Sequence, residues 1–376
     1  MIKKFCIFAI LLILIFPLVY FTPFIALEGT DWPMFRKDYQ HNAAIEAELE
    51  PPLEKIWTYK TEGKIFSSPI AYDEFIYFGS SDNNIYALDA ETGDLKWKFA
   101  TKGPVNSTAC IDEDILFVGS YDSHLYALEC KTGKLLWKFK TRDRIIASPV
   151  VYDGIVFFGS KDGFVYSVDA RTGDRFWDKN LSEYKYEGIY SSPVVYEDYI
   201  YIGTKSGVIY ALMKKTGEIF WKYSTFVPIY SSPAIYDNVI YIGNYDNNLY
   251  AIDCNNGKLI WKYETGDWIY STPVVANDTV YVGSDDGYLY AFKSLRGKLI
   301  FRQKIGKHVS SSPIYCNGYV YVGTSDGAII ALNGNDGAIM WDHNLGGPIR
   351  SSPIIYNNHL FVTSKDGSIY AFQHKR

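Results

Sequence analysis

The stretch YALDAETGDLKWKF, Tyr86 to Phe99, contains a β-rich run, a turn and a second β-rich run. Its Glu-Thr-Gly suits a strand-connecting turn, and Trp97 follows shortly after. The stretch returns with small changes as YALECKTGKLLWKF from Tyr126 and as YAIDCNNGKLIWKY from Tyr250. It is therefore one unit of an internal repeat, and the period of that repeat decides the fold.

Tryptophans mark the period of the repeat. Seven of the nine fall in one phase, with successive spacings of 40, 40, 40, 44, 40, 40 and 40 residues when Phe301 fills the remaining place. The extra four residues lie between Asn180 and Tyr190. Burying one tryptophan is worth roughly 4–6 kcal/mol gross, so we expect these aromatic residues to lock neighbouring repeats together. They are Trp57, Trp97, Trp137, Trp177, Trp221, Trp261, Phe301 and Trp341.

Each repeat has further markers that predict four short strands. A Ser-Pro step such as Ser68-Pro69 comes first, then a run such as YFGSSD from Tyr77, then the YALD run and the tryptophan run. Turn residues separate these β-rich segments. A four-stranded sheet cannot bury both of its faces alone, so eight of them are expected to stack radially as a β-propeller.

The two ends of the chain indicate how the ring closes. The last repeat ends at SIYAFQHKR without a tryptophan run, whereas LEKIWTYKT from Leu53 has no YALD run before it. The sequence therefore predicts an all-β fold, an eight-bladed β-propeller of four-stranded antiparallel blades over residues 53–376. The N-terminal strand completes the last blade, and residues 28–52 are a lead-in segment. A solenoid, the alternative, needs caps at both ends, and none is evident.

The repeat also resembles that of a known family. The pattern Ala-x-Asp-x-x-Thr-Gly-x-x-x-Trp, complete from Ala87 to Trp97, resembles the repeat of the pyrroloquinoline-quinone (PQQ) propeller superfamily. DWPMFRKDYQHNA, Asp31 to Ala43, resembles the segment that precedes the propeller in many members. The layout is nearest to the compact, non-enzymatic outer-membrane assembly propellers. The resemblance is specific for the fold and weakly specific for function.

The N-terminus has the features of a targeting segment. Lys3 and Lys4 precede an apolar run from Phe5 to Tyr20 that extends to Leu27. Its length lies between that of a signal peptide and that of a spanning helix, so residues 1–27 are predicted to be a signal peptide or an N-terminal membrane anchor. Both interpretations place the rest of the chain outside the cytoplasm, secreted or anchored to the outer face of the cytoplasmic membrane.

Composition and spacing exclude several classes of function. The net charge is −5 with no basic stripe, which argues against nucleic acid as a partner. The five cysteines form no CxxC pair, and the four outside the N-terminal apolar segment are predicted to be small buried hydrophobic residues. No two histidines have the spacing of metal ligands. The SKDG runs at Ser160 and Ser364 are interpreted as turns capped by aspartate, because one carboxylate per blade cannot satisfy calcium.

Candidate binding residues lie where the repeats disagree. The position before the Ser-Ser/Thr-Pro step varies most between repeats, so it is free of the packing constraint. Aromatic and arginine side chains there suit ligand or peptide binding, although tyrosine that merely fills the channel remains the alternative. The candidates are Phe66, Asn106, Tyr190, Tyr230, Tyr270 and Arg350, with Arg144, Tyr186, Trp268 and His308 on the same loops.

Two classes of function remain. The first is an exported, non-catalytic propeller that binds a protein or peptide partner at the cell envelope and needs no cofactor. The alternative is a PQQ-dependent quinoprotein dehydrogenase acting on an alcohol or a sugar. The resemblance implies that such enzymes carry an adjacent-cysteine disulfide beside the quinone and acidic and asparagine ligands for calcium. This sequence has no Cys-Cys pair, so no catalytic, cofactor-binding or metal-binding residue is assigned.

Overall fold

A computed structural model describes residues 31–182 and 188–376 of the chain. Within these residues there are 33 β-strands and no helix. Four-stranded antiparallel sheets form eight blades, and one short strand adds to the inner edge of the seventh. The predicted all-β, eight-bladed propeller is thereby confirmed. Within the described ranges, no helix is long and apolar enough to cross a membrane; the predicted signal or anchor at residues 1–27 lies outside them.

The strands of each blade follow the chain from the channel outward. In blades one to four they are Ile70–Tyr72, Phe75–Gly79, Asn84–Asp89, Leu95–Ala100; Cys110–Asp112, Ile115–Gly119, His124–Glu129, Leu135–Lys140; Val150–Tyr152, Ile155–Gly159, Phe164–Asp169, Arg175–Asn180; Val194–Tyr196, Tyr199–Gly203, Val208–Met213, Ile219–Ser224. In blades five to eight they are Ala234–Tyr236, Val239–Gly243, Asn248–Asp253, Leu259–Glu264; Val274–Ala276, Thr279–Gly283, Tyr288–Lys293, Leu299–Lys304; Ile314–Cys316, Tyr319–Gly323, Ala328–Asn333, Ile339–Asn344; Ile354–Tyr356, His359–Thr363, Ser368–His374, Leu53–Lys60. The additional strand is Ala44–Ile45.

The N-terminal strand closes the ring. Leu53–Lys60 pairs antiparallel with Ser368–His374, and Trp57 lies opposite Ala371. The eighth blade is therefore built from both ends of the propeller sequence, as predicted. Because this strand completes the last sheet, both ends of the repeat array are held in one blade and neither is left as a free edge inside the ring.

A series of hydrogen bonds explains the Ser-Pro marker. The amide of Ser68 in blade one donates to the hydroxyl of Thr108 in blade two over 2.9 Å. The amide of Ser352 in blade eight donates back to the hydroxyl of Ser68, also over 2.9 Å. Equivalent bonds join Thr108 to Ser148, Ser148 to Ser192, Ser192 to Ser232, Ser232 to Thr272 and Thr272 to Ser312. The hydroxyl therefore links the inner strands of neighbouring blades.

The repeated tryptophan contacts the turn of the next blade. Trp97 Nε1 donates to the carbonyl of Cys130 over 2.8 Å, and its ring lies against Gly133, where an added Cβ would come within 2.6 Å of the ring. Gly133 has a φ of +68°, a backbone conformation that residues with a side chain rarely adopt. The same ring-on-glycine contact joins Trp57 to Gly93, Trp137 to Gly173, Trp177 to Gly217, Trp221 to Gly257, Trp261 to Gly297 and Phe301 to Gly337.

The lead-in segment lies inside the ring and contacts the inner strands of seven blades and the turn after the inner strand of the eighth. Sequence alone gave it no position. Its side chains Trp32, Ala43, Ile45 and Leu49 belong to the buried core. Its contacts in chain order are Trp32 with Ala71, Pro33 with Ile111, Tyr39 with Tyr152 and Val195, Gln40 with Ile235, Asn42 with Val275, Ala43 with Tyr315 and Glu48 with Asn358.

Two basic residues of this segment, Arg36 and His41, are buried against backbone carbonyls. Arg36 is 1% exposed, and its guanidinium donates to the carbonyls of Pro313 (2.5 Å) and Pro273 (3.2 Å). Burial lowers the pKa of Arg36 to about 9. His41 Nδ1 lies 2.9 Å from the carbonyl of Pro233, and burial lowers its pKa to about 3. His41 is therefore neutral at pH 7.

Two smaller predictions concern cysteines and the aspartate turns. Cys110, Cys130, Cys254 and Cys316 are buried and free, which confirms their interpretation as small hydrophobic residues. In the turn at Asp162, one carboxylate oxygen accepts the amide of Phe164 over 2.9 Å, and the other accepts the amide of Arg142 over 3.0 Å. This carboxylate therefore caps a turn, as the sequence indicated.

Candidate functional site

Two sets of connections meet at one end of the channel. In each blade, the turn between the second and third strands is joined to the loop before the inner strand by a backbone hydrogen bond. Examples are the amide of Lys161 with the carbonyl of Arg144 (2.9 Å) and the amide of Asp285 with the carbonyl of Trp268 (2.8 Å). We call this end the mouth. The loops contribute Phe66, Asn106, Ile146, Tyr190, Tyr230, Tyr270, Ser310 and Arg350, and the turns contribute Ser81, Tyr121, Lys161, Lys205, Tyr245, Asp285, Ser325 and Lys365.

Blades four to six bring five aromatic side chains together at the mouth. We call Tyr190, Tyr230, Tyr245, Trp268 and Tyr270 the aromatic arc. The ring centres of Tyr190 and Tyr230 are 4.9 Å apart, and those of Tyr230 and Tyr245 are 4.6 Å apart. Tyr245 and Trp268 are stacked at 4.5 Å with 2° between their planes. Four residues predicted separately from the sequence therefore belong to one continuous cluster.

The aromatic arc is only partly covered by protein. Trp268 is 44% exposed, whereas the blade-locking Trp97 is 9% exposed. Partial burial raises the pKa of Tyr190, Tyr230 and Tyr270 above the ordinary tyrosine value. Their hydroxyl groups are therefore protonated at neutral pH and can both donate and accept hydrogen bonds. The arc thus offers apolar ring faces together with polar edges.

Charged side chains flank the arc. Ser310 Oγ donates to Asp285 Oδ1 over 2.7 Å, and His308 Nδ1 lies 2.7 Å from the carbonyl of Asp285. Desolvation raises the pKa of Asp285, while the Ser310 hydrogen bond and the nearby His308 and Arg350 lower it. Asp285, His308 and Arg350 therefore belong to one electrostatic neighbourhood beside blades six to eight.

The other predicted residues occupy the rest of the mouth. The guanidinium of Arg144 lies 5.2 Å from the ring centre of Tyr121. Lys365 Nζ lies 5.0 Å from the ring centre of Phe66. Asn106 Oδ1 accepts the hydroxyl of Ser81 over 3.1 Å. Tyr186 lies outside the described residues.

Sequence reasoning missed the contribution of the turns. Tyr245 stands at the centre of the aromatic arc but was not selected, and neither were Tyr121, Asp285 and Lys365. A signal was present, because the residue directly before the aspartate of each turn (before Ser206 in blade four) varies as freely as the loop position. It reads Ser81, Tyr121, Lys161, Lys205, Tyr245, Asp285, Ser325 and Lys365.

The residues of the mouth do not fit a calcium-quinone centre. Among residues 31–182 and 188–376, no group of three His, Cys, Asp or Glu side chains could hold a metal ion. Asp285 is the carboxylate among the mouth positions named above, and its Oδ1 accepts the Ser310 hydroxyl. Below the mouth, the buried Arg36 adds a positive charge and no metal ligand. What the arrangement supplies is stacking, hydrogen bonding and charge.

Two open clefts lie at the opposite end of the propeller. One, of about 550 Å³, is lined by Ile45 of the lead-in segment together with Tyr236, Asn277 and Tyr315. The other, of about 450 Å³, lies between blades two and three beside Asp153. Neither contains a residue of the mouth.

Comparisons with known proteins agree with the repeat architecture. A family model described as outer membrane protein assembly factor BamB matches residues 101–225, 161–271, 266–344 and 297–376. A model described as the β-propeller domain of glucose/ethanol/alcohol dehydrogenase matches residues 35–111. The comparison with curated proteins found no match.

Solved structures with the same fold include BamB and several dehydrogenases. BamB from Moraxella catarrhalis is 20% identical, with a TM-score of 0.75 over 86% of this chain and 100% of that one. A europium-containing methanol dehydrogenase is 16% identical, with a TM-score of 0.80 over 92% and 98%. Quinohemoprotein alcohol dehydrogenase from Comamonas testosteroni is 16% identical, with a TM-score of 0.79 over 92% and 81%. These likenesses show the fold. The family model described as outer membrane protein assembly factor BamB matches the repeats of this chain from residue 101 to residue 376, which is more than half of its length. The chain therefore belongs to that PQQ-repeat propeller family.

Proposed function

We propose that this protein is an exported, non-catalytic scaffold that binds a protein or peptide partner at the cell envelope through its mouth. The observation that carries the proposal is the aromatic arc, in which Tyr230 and Tyr245 join Tyr190 to a stacked and partly exposed Trp268. Tyrosine, tryptophan and arginine are enriched among the residues that dominate the binding energy of protein interfaces, and the rigid rings of tyrosine and tryptophan lose little conformational entropy on binding.

The exposure of the arc argues against a purely structural role. A side chain that only fills the channel gains stability by being buried, as Trp97 is at a blade junction. Trp268 keeps 44% of its surface exposed, although it is stacked on Tyr245. That exposed apolar area is available for a partner to cover.

Export and envelope location rest on two supports. The first is the apolar run after Lys3 and Lys4, which has the composition of a targeting segment. The second is the family itself, whose model is described as an outer membrane protein assembly factor. Fractionation of producing cells, with protease added to intact cells or spheroplasts, tests this part. Degradation only after cell lysis would contradict it.

The binding surface is tested by co-purification from solubilised membranes. Wild-type protein is compared with a Tyr230→Ala/Trp268→Ala variant and with a matched Leu259→Ala/Ile260→Ala variant on an exposed outer strand. We expect the first variant to lose a partner that the wild type and the outer-strand control both retain. Equal recovery of every partner by all three proteins would contradict binding at the mouth, provided that all three are folded by circular dichroism.

A PQQ-dependent dehydrogenase is the second candidate, favoured by the match of residues 35–111 to the dehydrogenase propeller model. PQQ would supply redox chemistry when bound, but the charge and ligand set of the mouth do not fit it, as described above. Titration with PQQ and calcium, followed by a dye-linked assay with alcohols and sugars, decides between the two candidates. We expect neither binding nor turnover, and quinone-dependent turnover would replace the scaffold proposal.

A further inference from the structure

Three cationic side chains of the mouth meet where blade eight joins blade one. The amide of Lys365 donates to the carbonyl of Pro348 over 2.9 Å, which holds the turn of Lys365 against the loop of Arg350. The amide of Ile65 reaches the carbonyl of Ser364 over 3.4 Å, which holds the loop of Lys64 against the same turn. We call Lys64, Arg350 and Lys365 the cationic corner.

The charges of the cationic corner are not held in ion pairs within the described part of the chain, although the carboxylate of Asp285 in blade six acts on Arg350. Lys64 and Arg350 are exposed and Lys365 is half-buried. None of the three forms an ion pair with a carboxylate among the described residues. Burial, and then the charges of Arg350 and Lys64, lower the pKa of Lys365, so the three cations repel one another. An anion placed among them would relieve this repulsion.

The variable positions of the mouth carry more cations than carboxylates. Its sixteen loop and turn positions include Lys161, Lys205, Arg350 and Lys365 but a single carboxylate, Asp285, whereas the whole chain has a net charge of −5. The capping aspartates of the turns add negative charge at this end, and hydrogen bonds hold their carboxylates against the turns. Asp366, next to Lys365, accepts the amide of Ser368 over 2.7 Å and the hydroxyl of Tyr370 over 2.5 Å.

We propose that the mouth binds an acidic segment of a partner protein, with its carboxylates at the cationic corner and a large apolar side chain on the aromatic arc. This inference rests on the proposed function and adds the chemistry of the partner. Arg350 can hold a carboxylate through two parallel hydrogen bonds, and Lys64 and Lys365 add point charges. The exposed face of Trp268 supplies the apolar anchor site.

The two halves of the surface select different parts of the same segment. Blades four to six carry the aromatic arc, and the junction of blades eight and one carries the cationic corner. The charge of Arg350 favours the ionised forms of Tyr270 and Asp285 in blade six, so the corner and the arc lie within electrostatic reach of each other. A peptide with only acidic residues contacts one half, and a peptide with only an apolar residue contacts the other. A basic segment is repelled by the corner, which gives the mouth a means of rejecting wrong partners.

Synthetic fluorescein-labelled peptides test the proposal by fluorescence anisotropy with the full chain. The probe carries a run of glutamates beside one phenylalanine, and its matched forms replace glutamate by glutamine, glutamate by lysine, or phenylalanine by alanine. We expect the acidic peptide to bind most tightly, with each replacement weakening the affinity about tenfold or more. Binding should also weaken as salt is raised. Equal binding of all four peptides would overturn the proposal.

Charge-matched variants locate the site. Arg350→Gln/Lys365→Gln is compared with Lys98→Gln/Lys138→Gln, which removes the same charge from exposed outer strands. We expect at least a tenfold loss of affinity for the acidic peptide in the first variant and little change in the second. An equal loss in both would show a general effect of net charge and overturn the assignment. Tighter binding of a uronic-acid oligosaccharide than of the acidic peptide would also overturn it.

The result of the peptide-binding test can be distinguished from that of the co-purification test of the proposed function. If the acidic peptide does not bind but Tyr230→Ala/Trp268→Ala still loses a co-purified partner, the mouth is an interface and the acidic partner is wrong. If no partner depends on the mouth either, both proposals fail. If the acidic peptide binds and Arg350→Gln/Lys365→Gln releases the same co-purified partner, both stand.

Discussion

Replacing Trp97 by alanine should lower the free energy of unfolding by about 3–5 kcal/mol. Trp97 is 9% exposed, so nearly all of its surface is removed from water on folding. A buried tryptophan covers about 150–250 Å², which at about 25 cal/mol per Å² gives roughly 4–6 kcal/mol as an upper value. The substitution also leaves the carbonyl of Cys130 without its 2.8 Å hydrogen bond and opens a cavity against Gly133.

Urea unfolding, followed by far-UV circular dichroism and by fluorescence, measures this loss. The two signals must give the same transition for the free energies to be compared. Trp268→Ala is the matched control, because Trp268 is 44% exposed and stacks on Tyr245 at the mouth. We expect the control to cost about 1 kcal/mol. Equal losses for the two variants would refute the division into a blade-locking tryptophan and a surface tryptophan.

Three further predictions concern the turn glycines, the lead-in segment and the cysteines. Gly133→Ala should destabilise the protein more than Gly154→Ala in urea unfolding. The two glycines have nearly the same φ, +68° and +69°, but only a Cβ at position 133 would meet a tryptophan ring. Equal losses of unfolding free energy would contradict the packing of the ring on Gly133. His41 has its pKa lowered to about 3, so the unfolded chain binds a proton below about pH 6.5 that the folded chain does not, and stability is lost as the pH falls. Between pH 7 and pH 5 we expect wild-type protein to lose about 2 kcal/mol more than His41→Gln does, and parallel pH profiles would contradict the buried neutral imidazole. The buried, free Cys110, Cys130, Cys254 and Cys316 should remain unlabelled by a thiol reagent until urea is added, as read by peptide mass spectrometry; fast labelling of any of them in the native protein would contradict its burial.

The blade architecture was predictable because every local signal repeats in phase. One turn such as Glu91-Thr92-Gly93 is weak by itself, but its recurrence at a constant spacing fixes the period. No tryptophan run follows Tyr370, and an extra one stands at Trp57, which predicted that the N-terminal strand completes the last blade. The pairing of Trp57 with Ala371 confirms this closure of the ring.

The position of the lead-in segment was not predictable in the same way. Residues 31–52 do not repeat, so no period assigns them to a blade. Their contacts are long-range, such as the bond from Arg36 to the carbonyl of Pro313 and the bridge from Trp32 to Ala71. Such contacts depend on the shape of the channel, which exists only after the ring has closed.

The mouth was partly predictable. Variation at the loop position selected Tyr190, Tyr230 and Tyr270, but whether their rings meet depends on the radius of the ring and on side-chain direction. Tyr245 was missed because it belongs to another variable position, on the turn that a backbone hydrogen bond holds beside the loop of Pro228. The same relation places Lys365 beside Arg350, a juxtaposition that spacing along the chain does not reveal.

Photocrosslinking in cells that produce the protein tests the central claim most directly. A benzophenone amino acid is placed at Tyr230 in the aromatic arc and, in a separate protein, at Met340, an exposed outer-strand position that is 47% exposed. Scaffold binding through the mouth predicts a discrete protein adduct from position 230 that is absent from position 340. Adducts from position 340 alone would contradict the claim that the function of this propeller resides at its mouth.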